Sequence, residues 1–344
     1  MKIGIYSPYF HILGGGERYL STIAEYLSRD TEVTIFTESS IKEKAKSVFN
    51  ITLDRVHFLP KEKFRANKLF DILFYMTNGS LFFSLSRKNF LIIQSPSHIP
   101  SSKLVNRIKL LNWRIICYSQ FMYEIIKKRL NISSIILPPA IDTVHFKHAA
   151  SKKKNIILSV GRFFSHLHNK KHDFLIEVFK NNYRKTFKDW ELIIAGGMVD
   201  KDGERLMIKL KKQSDDYPIE ILANIPFDKL KSLYQDAKIY WHAAGFGEDL
   251  VKYPERAEHF GITTLEAMSA GCVPVVFEAG GQKDIVIDGV NGYFWQKEEE
   301  LVQKSMRIIS DRKLFDHLSL SAQKRSDDFS LTSFYEKLNK LISE

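Results

Sequence analysis

The stretch Ile156-Ile157-Leu158-Ser159-Val160-Gly161-Arg162 decides the fold, because it restarts a pattern that has already opened the chain at residues 2–6. A short apolar run that ends in small or polar residues is typical of a buried strand whose carboxyl end carries a ligand loop. Since the pattern starts once in each half of the chain, it predicts two α/β domains.

Other short apolar runs follow each start and alternate with helical patterns, of which residues 17–27 are the first. Strands that alternate with helices favour a parallel sheet. We therefore predict two doubly wound, Rossmann-like parallel sheets. The predicted strands are residues 2–6, 33–36, 90–93, 115–118, 135–137, 156–160, 192–195, 239–242 and 273–277.

The length of 344 residues also favours two domains over one core. Residues 147–155 are polar and basic and follow the pair Pro138-Pro139, so we interpret them as the linker. The predicted domains are residues 1–147 and 148–326, followed by a C-terminal helix, 327–344, that returns toward the first domain. Phe334, Leu338 and Leu341 would form the apolar face of that helix.

The net charge of +11 has more than one explanation. No nucleic-acid-binding signature occurs, so we predict no nucleic-acid partner. An anionic membrane surface is a candidate partner, because cations lie beside apolar residues, as in residues 125–130. A solvated, lysine-rich surface explains the charge equally well.

The chain contains neither a signal-peptide apolar segment at its start nor an apolar run of the roughly 20 residues that a membrane span needs. The two cysteines, Cys117 and Cys272, lie in apolar contexts without zinc spacing and are predicted to be buried thiols in a reducing compartment. We therefore expect a cytoplasmic protein, with peripheral attachment to the inner face of the membrane as the finer hypothesis.

Two carboxylates enclose the segment Glu258-His259-Phe260-Gly261-Ile262-Thr263-Thr264-Leu265-Glu266, which is predicted to be a loop that becomes a helix. Gly261 would let the backbone approach a ligand, and the helix start would offer N–H groups to an anion. The alternative for Glu266 is a capping box with Thr263, which would only stabilise the helix. Glu258 would accept hydrogen bonds from sugar hydroxyls.

Cations and glycines follow other predicted strands. Arg162 and Lys170 would neutralise a diphosphate leaving group, although surface cations are the alternative. Gly14-Gly15-Gly16-Glu17 follows the first strand without the dinucleotide-binding spacing, and is either a ligand loop or a flexible connector. Gly280-Gly281 is either part of a ligand pocket or a tight turn, and His98 either faces an acceptor or is a polar surface residue.

The ordered set Gly161-Arg162, Lys170, Gly196, Glu258 with Glu266, and Gly280-Gly281 resembles glycosyltransferase family 4, a family of retaining, nucleotide-sugar-dependent enzymes. The resemblance implies the GT-B fold, in which two Rossmann-like domains enclose an interdomain cleft. It places the acceptor side in residues 1–147 and the nucleotide-sugar side in residues 148–326. It also implies a nucleotide sugar, GDP-mannose or a UDP-hexose, as co-substrate and no cofactor or metal. The wording Glu258-His259-Phe260-Gly261-Ile262 is similar to that of mannosyltransferases that build lipid-linked oligosaccharides, so the implied acceptor is a glycan or a lipid-linked sugar.

The resemblance also implies residue roles. Arg162 and Lys170 would contact the donor diphosphate, Glu258 the hexose hydroxyls and Glu266 the ribose. The implied catalytic residues are Glu258, Arg162, Lys170 and His98. The implied donor-binding residues are Gly15, Gly16, Gly161, Arg162, Lys170, Gly196, His259, Phe260, Gly261, Ile262, Thr263 and Glu266.

One departure from the family pattern concerns the acceptor side. Many members carry a histidine where this chain has Gln94, and His98 follows four residues later. A non-catalytic nucleotide-sugar-binding or scaffold protein of the same fold is therefore the alternative function. A nicotinamide-dependent dehydrogenase is a third hypothesis, which the missing glycine fingerprint disfavours.

Overall fold

A computed structural model describes residues 1–12, 14–65, 69–147, 153–164, 169–198 and 200–344 of the chain. The described residues form two compact units. The first unit contains Met1–Ala140 and Phe334–Glu344, and the second contains Ile141–Ser333. Each unit has its own sheet and its own core.

The first unit is built on a seven-stranded sheet in which every neighbouring pair is parallel. The strands are β1 Lys2–Tyr6, β2 Glu32–Phe36, β3 His57–Leu59, β4 Ile72–Met76, β5 Lys88–Ile92, β6 Arg114–Cys117 and β7 Ile135–Ile136. Their order in the sheet is β3-β2-β1-β4-β5-β6-β7. Because the order reverses between β1 and β4, this sheet is doubly wound, as predicted.

The helices of this unit connect the parallel strands. They are α1 Gly15–Leu27, α2 Ile41–Phe49, α3 Leu104–Leu110 and α4 Gln120–Leu130. Helix α4 shows how local sequence fixes such an element. The Ser119 hydroxyl accepts a hydrogen bond from the Met122 N–H and caps the start, and Asn131 ends the helix in the left-handed conformation at φ 56°.

The second unit has a six-stranded parallel sheet with the order β10-β9-β8-β11-β12-β13. The strands are β8 Lys154–Val160, β9 Glu191–Gly196, β10 Ile219–Ala223, β11 Ala237–His242, β12 Val273–Phe277 and β13 Tyr293–Trp295. The order reverses between β8 and β11, so this sheet is doubly wound as well.

Eight α-helices of the second unit precede, connect or follow these strands within the described residues. They are α5 Thr143–Phe146, α6 His172–Asn182, α7 Lys201–Ser214, α8 Phe227–Asp236, α9 Ile262–Ser269, α10 Gln282–Ile285, α11 Glu298–Ser310 and α12 Arg312–Ser326. The last helix of the chain, α13, spans Leu331–Ser343, and from Phe334 onward it belongs to the first unit.

Each unit encloses a separate hydrophobic core. In the first unit, buried residues of β4, β5 and β6 pack with Trp113 and α4. In the second unit, Trp241 on β11 and Trp295 on β13 pack with residues of α6, α11 and α12. Both indoles are buried. Side chains from the sheet and the helices thus bury each other within each unit.

The C-terminal helix is anchored to the first unit by its apolar face. Phe334, Leu338 and Leu341 are buried, as their spacing predicted. The ring of Phe334 meets Tyr19 edge-on at 5.5 Å between centroids, and Tyr335 stacks on Tyr26 at 3.9 Å. This helix therefore completes the core beside α1.

The predicted strands correspond to nine of the strands in the two sheets, with ends that differ by a few residues. Strands β3, β4, β10 and β13 were not predicted. The change of unit after Ala140 precedes the predicted linker, of which residues 148–152 lie outside the described residues. As limits of independently folding domains, the predicted boundaries stay predictions.

Both cysteines are free and buried, as expected. Cys272 lies near Lys153, whose ammonium donates to the carbonyls of Tyr234, Gln235 and Ala237 at 2.7–3.2 Å. Because these carbonyls end α8, the cation is favoured by the negative end of the helix dipole. Among the residues that the structure describes, no helix combines the length and the apolar character needed to cross a bilayer.

The packing of α13 yields a stability prediction. Leu338→Ala is expected to lower the free energy of unfolding by about 2–5 kcal/mol, because it removes a fully buried side chain and leaves a cavity. Lys337→Ala, at an exposed position of the same helix, is the matched control and should change it by less than about 0.5 kcal/mol. Urea titrations of both variants measure this, and equal losses would contradict the anchoring role.

Candidate active site

The site of the second unit lies where the strand order of its sheet reverses. Strands β8 and β11 are neighbours there, and each continues to a different side of the sheet. Strand β8 ends at Val160, followed by Gly161-Arg162, and β11 ends at His242. Ligands of doubly wound sheets bind outside the carboxyl ends of the strands at such a point.

A three-residue cluster occupies this edge. The Glu258 Oε2 atom lies 2.5 Å from Lys170 Nζ and 2.9 Å from His242 Nε2. The side chains of Lys170 and Glu258 retain only 19% and 16% of their exposure. The cluster brings together two predicted residues, Lys170 and Glu258, and adds His242, which the sequence analysis had assigned only to a strand.

The charges of the cluster follow from its contacts. Burial raises the pKa of Glu258, but the charge of Lys170 and the hydrogen bond with His242 outweigh it and hold that pKa well below its usual range. Burial lowers the pKa of His242, against the opposing effect of Glu258. At neutral pH, Glu258 is therefore an anion, and His242 is a neutral ring whose Nε2–H donates to it.

Two close approaches of glycine backbone hold Lys170 in place. A Cβ atom on Gly161 would lie 2.5 Å from Lys170 Cγ, and one on Gly196 would lie 1.9 Å from the Gly161 carbonyl oxygen. Only glycine at both positions lets strand β9, the end of β8 and the lysine side chain lie this close together.

A second glycine pair holds the segment that carries Glu258. A Cβ atom on Gly280 would lie 2.0 Å from the Glu258 carbonyl oxygen, and one on Gly281 would lie 2.4 Å from the Phe260 Cα. The Gly281 N–H donates to that same carbonyl at 2.7 Å. Gly280-Gly281 therefore positions the backbone of Glu258, a role beyond that of a tight turn.

Helix α9 starts directly after this segment. Gly261 precedes it at φ 115°, a conformation that a residue with a Cβ rarely adopts. The N–H groups of Ile262 and Thr263 have no acceptor among the residues described here, since the first bonds of the helix are those of Thr264 and Leu265 to the Gly261 carbonyl. The start of α9 thus has two N–H donors available, and their contact with an anion stays a prediction.

The prediction of a capping box between Thr263 and Glu266 is wrong. The helix begins at Ile262, so Thr263 lies inside its first turn, and its hydroxyl pairs with the Tyr240 hydroxyl at 2.8 Å. The buried Glu266 accepts a hydrogen bond from the Tyr234 hydroxyl at 2.9 Å instead. Glu266 therefore does not form a capping box with Thr263, and its predicted contact with a ribose stays a prediction.

A second ion-paired cluster lies in the same two loops, and the sequence analysis missed it. Lys171, with φ 57°, places its Nζ 2.5 Å from Glu248 Oε1, and Arg256 places a guanidinium nitrogen 2.6 Å from Glu248 Oε2. Hydrogen bonds from Lys171 and then from Arg256 lower the pKa of Glu248. The adjacent lysines 170 and 171 thus bind two carboxylates of the segment between β11 and α9.

Comparison with known proteins identifies the family. The model of the family described as glycosyl transferases group 1 matches residues 140–325, more than half of the chain. The chain belongs to this family. The match contains Arg162, Lys170, Glu258 and Glu266, so the predicted resemblance to group 1 glycosyltransferases is confirmed.

Individual relatives of this group 1 glycosyltransferase share less than a third of the aligned residues with it. The human GDP-Man:Man(3)GlcNAc(2)-PP-Dol alpha-1,2-mannosyltransferase is 28% identical over 211 residues, which are 57% of this chain and 38% of that protein. The chain thus spans less than half the length of that relative. The fold of this chain is similar to that of a glycosyltransferase from Rickettsia africae. The TM-score is 0.76 at 15% identity, with coverage of 99% of this chain and 97% of that one.

A second solved structure is the Anabaena protein HepE in complex with UDP-glucose. The TM-score is 0.72 at 16% identity, with coverage of 100% of this chain and 99% of that one. These similarities over the whole chain, together with the two parallel sheets, confirm the GT-B fold class.

Three further predicted residues of the second unit, Phe260, His259 and Arg162, contact other side chains or backbone of that unit. The Phe260 ring is buried against Phe329, at 5.7 Å between centroids, so its side chain is part of the packing. The His259 ring nitrogen contacts the Glu255 carbonyl at 3.1 Å. The Arg162 guanidinium lies 5.0 Å from the centroid of the Phe164 ring. Their roles toward a donor stay predictions.

The predicted residues Gly15, Gly16 and His98 belong to the first unit. Gly15 and Gly16 are the first residues of α1, and the Glu17 carboxylate accepts the Gly14 N–H, so this stretch starts a helix and is not a flexible connector. A Cβ atom on Gly16 would lie 2.1 Å from the side-chain oxygen of Gln94. Gln94 is therefore packed against the start of α1.

His98 is not a plain surface residue. Its ring stacks on Tyr9 at 5.5 Å between centroids, and burial lowers its pKa. Its Nδ1 atom is buried without a partner among the residues that the structure describes. An unpaired acceptor or donor on a half-buried ring keeps its predicted role on the acceptor side open.

The contact between Gly196 and Gly161 yields a second prediction. Gly196→Ala is expected to lower the free energy of unfolding by about 1–3 kcal/mol, because its methyl group would overlap the Gly161 carbonyl. Gly197→Ala is the matched control, since its methyl group would meet only Arg162 Cγ at 3.6 Å. Thermal unfolding of the two variants measures the difference, and equal stabilities would refute the close approach.

His172, buried at the start of α6, yields a prediction about pH. Burial, together with the charge of Lys170, lowers its pKa from 6.5 to about 3. Between these pH values the unfolded chain binds a proton that the native state does not. The native state should therefore lose about 4–5 kcal/mol as the pH falls through this window.

His172→Leu is expected to remove this part of the pH dependence, whereas the exposed His317→Leu should keep it. Urea titrations between pH 7 and about pH 4 measure the free energy of unfolding. A His172→Leu curve that falls as steeply as that of the wild type would contradict a neutral, buried His172.

Proposed function

We propose that this group 1 glycosyltransferase moves a hexose from a nucleotide sugar to a glycan or lipid-linked acceptor with retention of configuration. The observation that carries the proposal is the Lys170–Glu258 pair, whose carboxylate lies on the segment that leads directly into the start of α9. One small volume then offers a cation and backbone donors for a diphosphate and an anion for sugar hydroxyls.

The diphosphate end of the donor would lie against Arg162, Lys170 and the start of α9. Charge builds up on the leaving phosphate as its bond to the sugar breaks, and positioned cations and N–H groups stabilise that charge. Two side-chain cations and a helix start supply this without a metal. Metal independence and the absence of a cofactor are part of the proposal.

Glu258 would bind the hexose. Since its pKa is held low, it is an anion that accepts hydrogen bonds from sugar hydroxyls and has no proton to give as a general acid. The neutral His242 fixes its orientation through Nε2. Glu266, buried beside Tyr234, would accept from the ribose hydroxyls at the other end of the donor.

The transfer step then uses the substrate's own phosphate as base. The anomeric carbon–oxygen bond to the diphosphate breaks, and a bond from the acceptor oxygen forms on the same face of the sugar. The acceptor hydroxyl proton passes to the leaving phosphate oxygen. Attack on the face of departure explains retention without a covalent enzyme intermediate, and His98 would assist on the acceptor side.

Mannose from GDP-mannose is the proposed donor sugar. The support is the sequence Glu258-His259-Phe260-Gly261-Ile262 and the likeness to a GDP-mannose-named relative. UDP-hexoses are the other donors to compare, because HepE binds UDP-glucose. A cytoplasmic location, peripheral to the inner face of the membrane, fits a lipid-linked acceptor.

A non-catalytic nucleotide-sugar-binding protein is the alternative. This alternative is favoured by Gln94, which stands at the position where many family members have a histidine. The Gln94 side chain packs against Gly16. Slow hydrolysis of the donor distinguishes the two, since a transferase activates its donor toward water and a pure binder leaves it intact.

The proposal predicts specific losses of activity. Lys170→Met and Glu258→Gln should each lower the rate of donor turnover about 100-fold or more, because each removes a charge aligned with the donor. Lys209→Met, at an exposed lysine with one 3.9 Å ion pair, is the control and should stay within about twofold of the wild type. Normal turnover by both site variants would refute the proposal.

A thermal-shift series with GDP-mannose, UDP-glucose and ADP-glucose tests donor choice separately. A donor at a hundredfold excess over its Kd should stabilise the native state by about 2.7 kcal/mol. Each single variant, Lys170→Met or Glu258→Gln, leaves the other buried charge unpaired and could unfold the protein for that reason. The double variant Lys170→Met/Glu258→Gln removes both charges and is therefore the control for loss of fold. No stabilisation by any of these donors would overturn the assignment of the site.

A further inference from the structure

Helix α3 in the first unit turns its apolar side toward solvent. Leu104, Val105, Ile108 and Leu111 are 73%, 60%, 49% and 88% exposed. At 3.6 residues per turn they lie within a stripe of about 120°. Leu110, on the opposite side of the helix, is the residue buried in the core. A soluble helix normally places such a stripe against its own core.

The exposed stripe continues onto the loop beside it. Phe83 and Leu85 are 54% and 59% exposed, and they alternate with the buried Ser84 and Ser86. Lys109 joins the two segments, because its ammonium donates to the Leu81 carbonyl at 2.9 Å and lies 6.0 Å from the centroid of the Phe83 ring. We call these six apolar residues, 104, 105, 108, 111, 83 and 85, the α3 face.

Packed aromatic side chains lie next to the α3 face in sequence and in contact with one another. Trp113 follows α3, donates its indole N–H to the Phe82 carbonyl at 3.2 Å, and meets the Phe82 ring edge-on at 5.3 Å. Tyr75 of the central strand β4 packs on both rings. The residues next to the α3 face, Phe82 and Trp113, are therefore packed on the core of the first unit.

Cations border the α3 face along the helix. Residues 72–123 contain six Lys and Arg and no Asp or Glu, although 40 acidic residues spread evenly over 344 positions would place about six in such a segment. Lys88 and Arg114 of this segment bind the end of α13, and Arg87 pairs with Asp71 at 3.5 Å. The remaining three cations are those beside the α3 face. On the helical wheel, Arg107 borders the stripe on one side and Lys109 on the other, and Lys103 is exposed just before the helix.

We propose that the α3 face docks on an anionic lipid bilayer. An apolar stripe bordered by cations is the pattern of helices that lie in a membrane interface, where the apolar side chains enter the acyl region and the cations reach the lipid phosphates. The complementarity of charge selects this occupant, because an anionic leaflet attracts each of the bordering cations.

A second copy of the chain fits this surface less well. A symmetric dimer places the same patch on both sides of the interface, so the cations of both copies would meet across it. The α3 face is also distinct from the basic residues 125–130 of α4, which the sequence analysis had singled out for membrane contact. In α4, Ile126 and Leu130 are buried, so that segment does not offer an apolar surface.

Vesicle co-sedimentation of the full chain, without donor or acceptor, tests the proposal. The wild type is expected to bind vesicles of phosphatidylcholine with about 30% phosphatidylglycerol at least about tenfold more tightly than vesicles of phosphatidylcholine alone. Leu104→Ser/Leu111→Ser should weaken binding at least about tenfold. Ile208→Ser/Leu320→Ser removes two equally apolar, 65% and 68% exposed side chains of the second unit and should bind as the wild type does.

A charge series uses the same assay. Lys103→Gln/Arg107→Gln should lose the preference for anionic vesicles, whereas Lys211→Gln/Lys212→Gln on α7 should keep it. All these positions are exposed, so the unfolding temperatures should stay unchanged. Absence of vesicle binding by the wild type, or equal binding by Leu104→Ser/Leu111→Ser, would overturn the proposal. A concentration-dependent dimer that this variant abolishes would assign the α3 face to a second copy instead.

The proposed docking on a bilayer rests on the proposed lipid-linked acceptor and adds the surface that would reach it. The experiments distinguish its failure from failure of the transferase assignment. Leu104→Ser/Leu111→Ser should keep donor-induced stabilisation and donor hydrolysis at wild-type values while it loses vesicle binding. Vesicle binding by a wild type that no nucleotide sugar stabilises would leave the α3 face in place and refute only the transferase.

Discussion

The ion pair between Lys170 and Glu258 is the interaction on which the second unit's site depends. A carboxylate at this degree of burial is costly unless it is paired and hydrogen-bonded. Lys170 and His242 supply both partners: Lys170 lies between β8 and α6, and His242 ends the neighbouring strand β11. The pair thus ties the loop after β8 to the segment after β11, and it sets the charge of each group before any ligand arrives.

The order of the strands explains why these residues meet. Parallel strands end at the same edge of a sheet, and the reversal between β8 and β11 leaves a gap there because the chain leaves the two strands toward opposite sides. Glycines 161, 196, 280 and 281 then let backbone approach backbone and the lysine stem at distances that exclude a methyl group. The arrangement of Lys170 and Glu258 is therefore a consequence of packing between loops, in which glycine backbone lies against the lysine stem and the Glu258 carbonyl.

Most of the fold was predictable because the central strands bury continuous apolar runs. The edge strands β3, β10 and β13 escaped prediction because they are short or half-buried and carry no such run, whereas β4 carried one that was overlooked. Lys170 and Glu258 were predictable from their order in the family pattern. Their partner His242 was not, since a histidine that ends an apolar strand resembles core until the strand order is known. Glu248 lay in a segment without a recognisable motif, and only the fold brings it to Lys171.

The contact between Gly161 and Lys170 also has a consequence for the entropy of ligand binding. A free lysine side chain loses up to about 2 kcal/mol of rotamer entropy when it is fixed in one position. Here its stem lies on the Gly161 backbone and its ammonium on Glu258, so most of that loss occurs when the chain folds. If Lys170 binds the donor diphosphate, as proposed, the binding free energy carries little further cost for ordering its side chain.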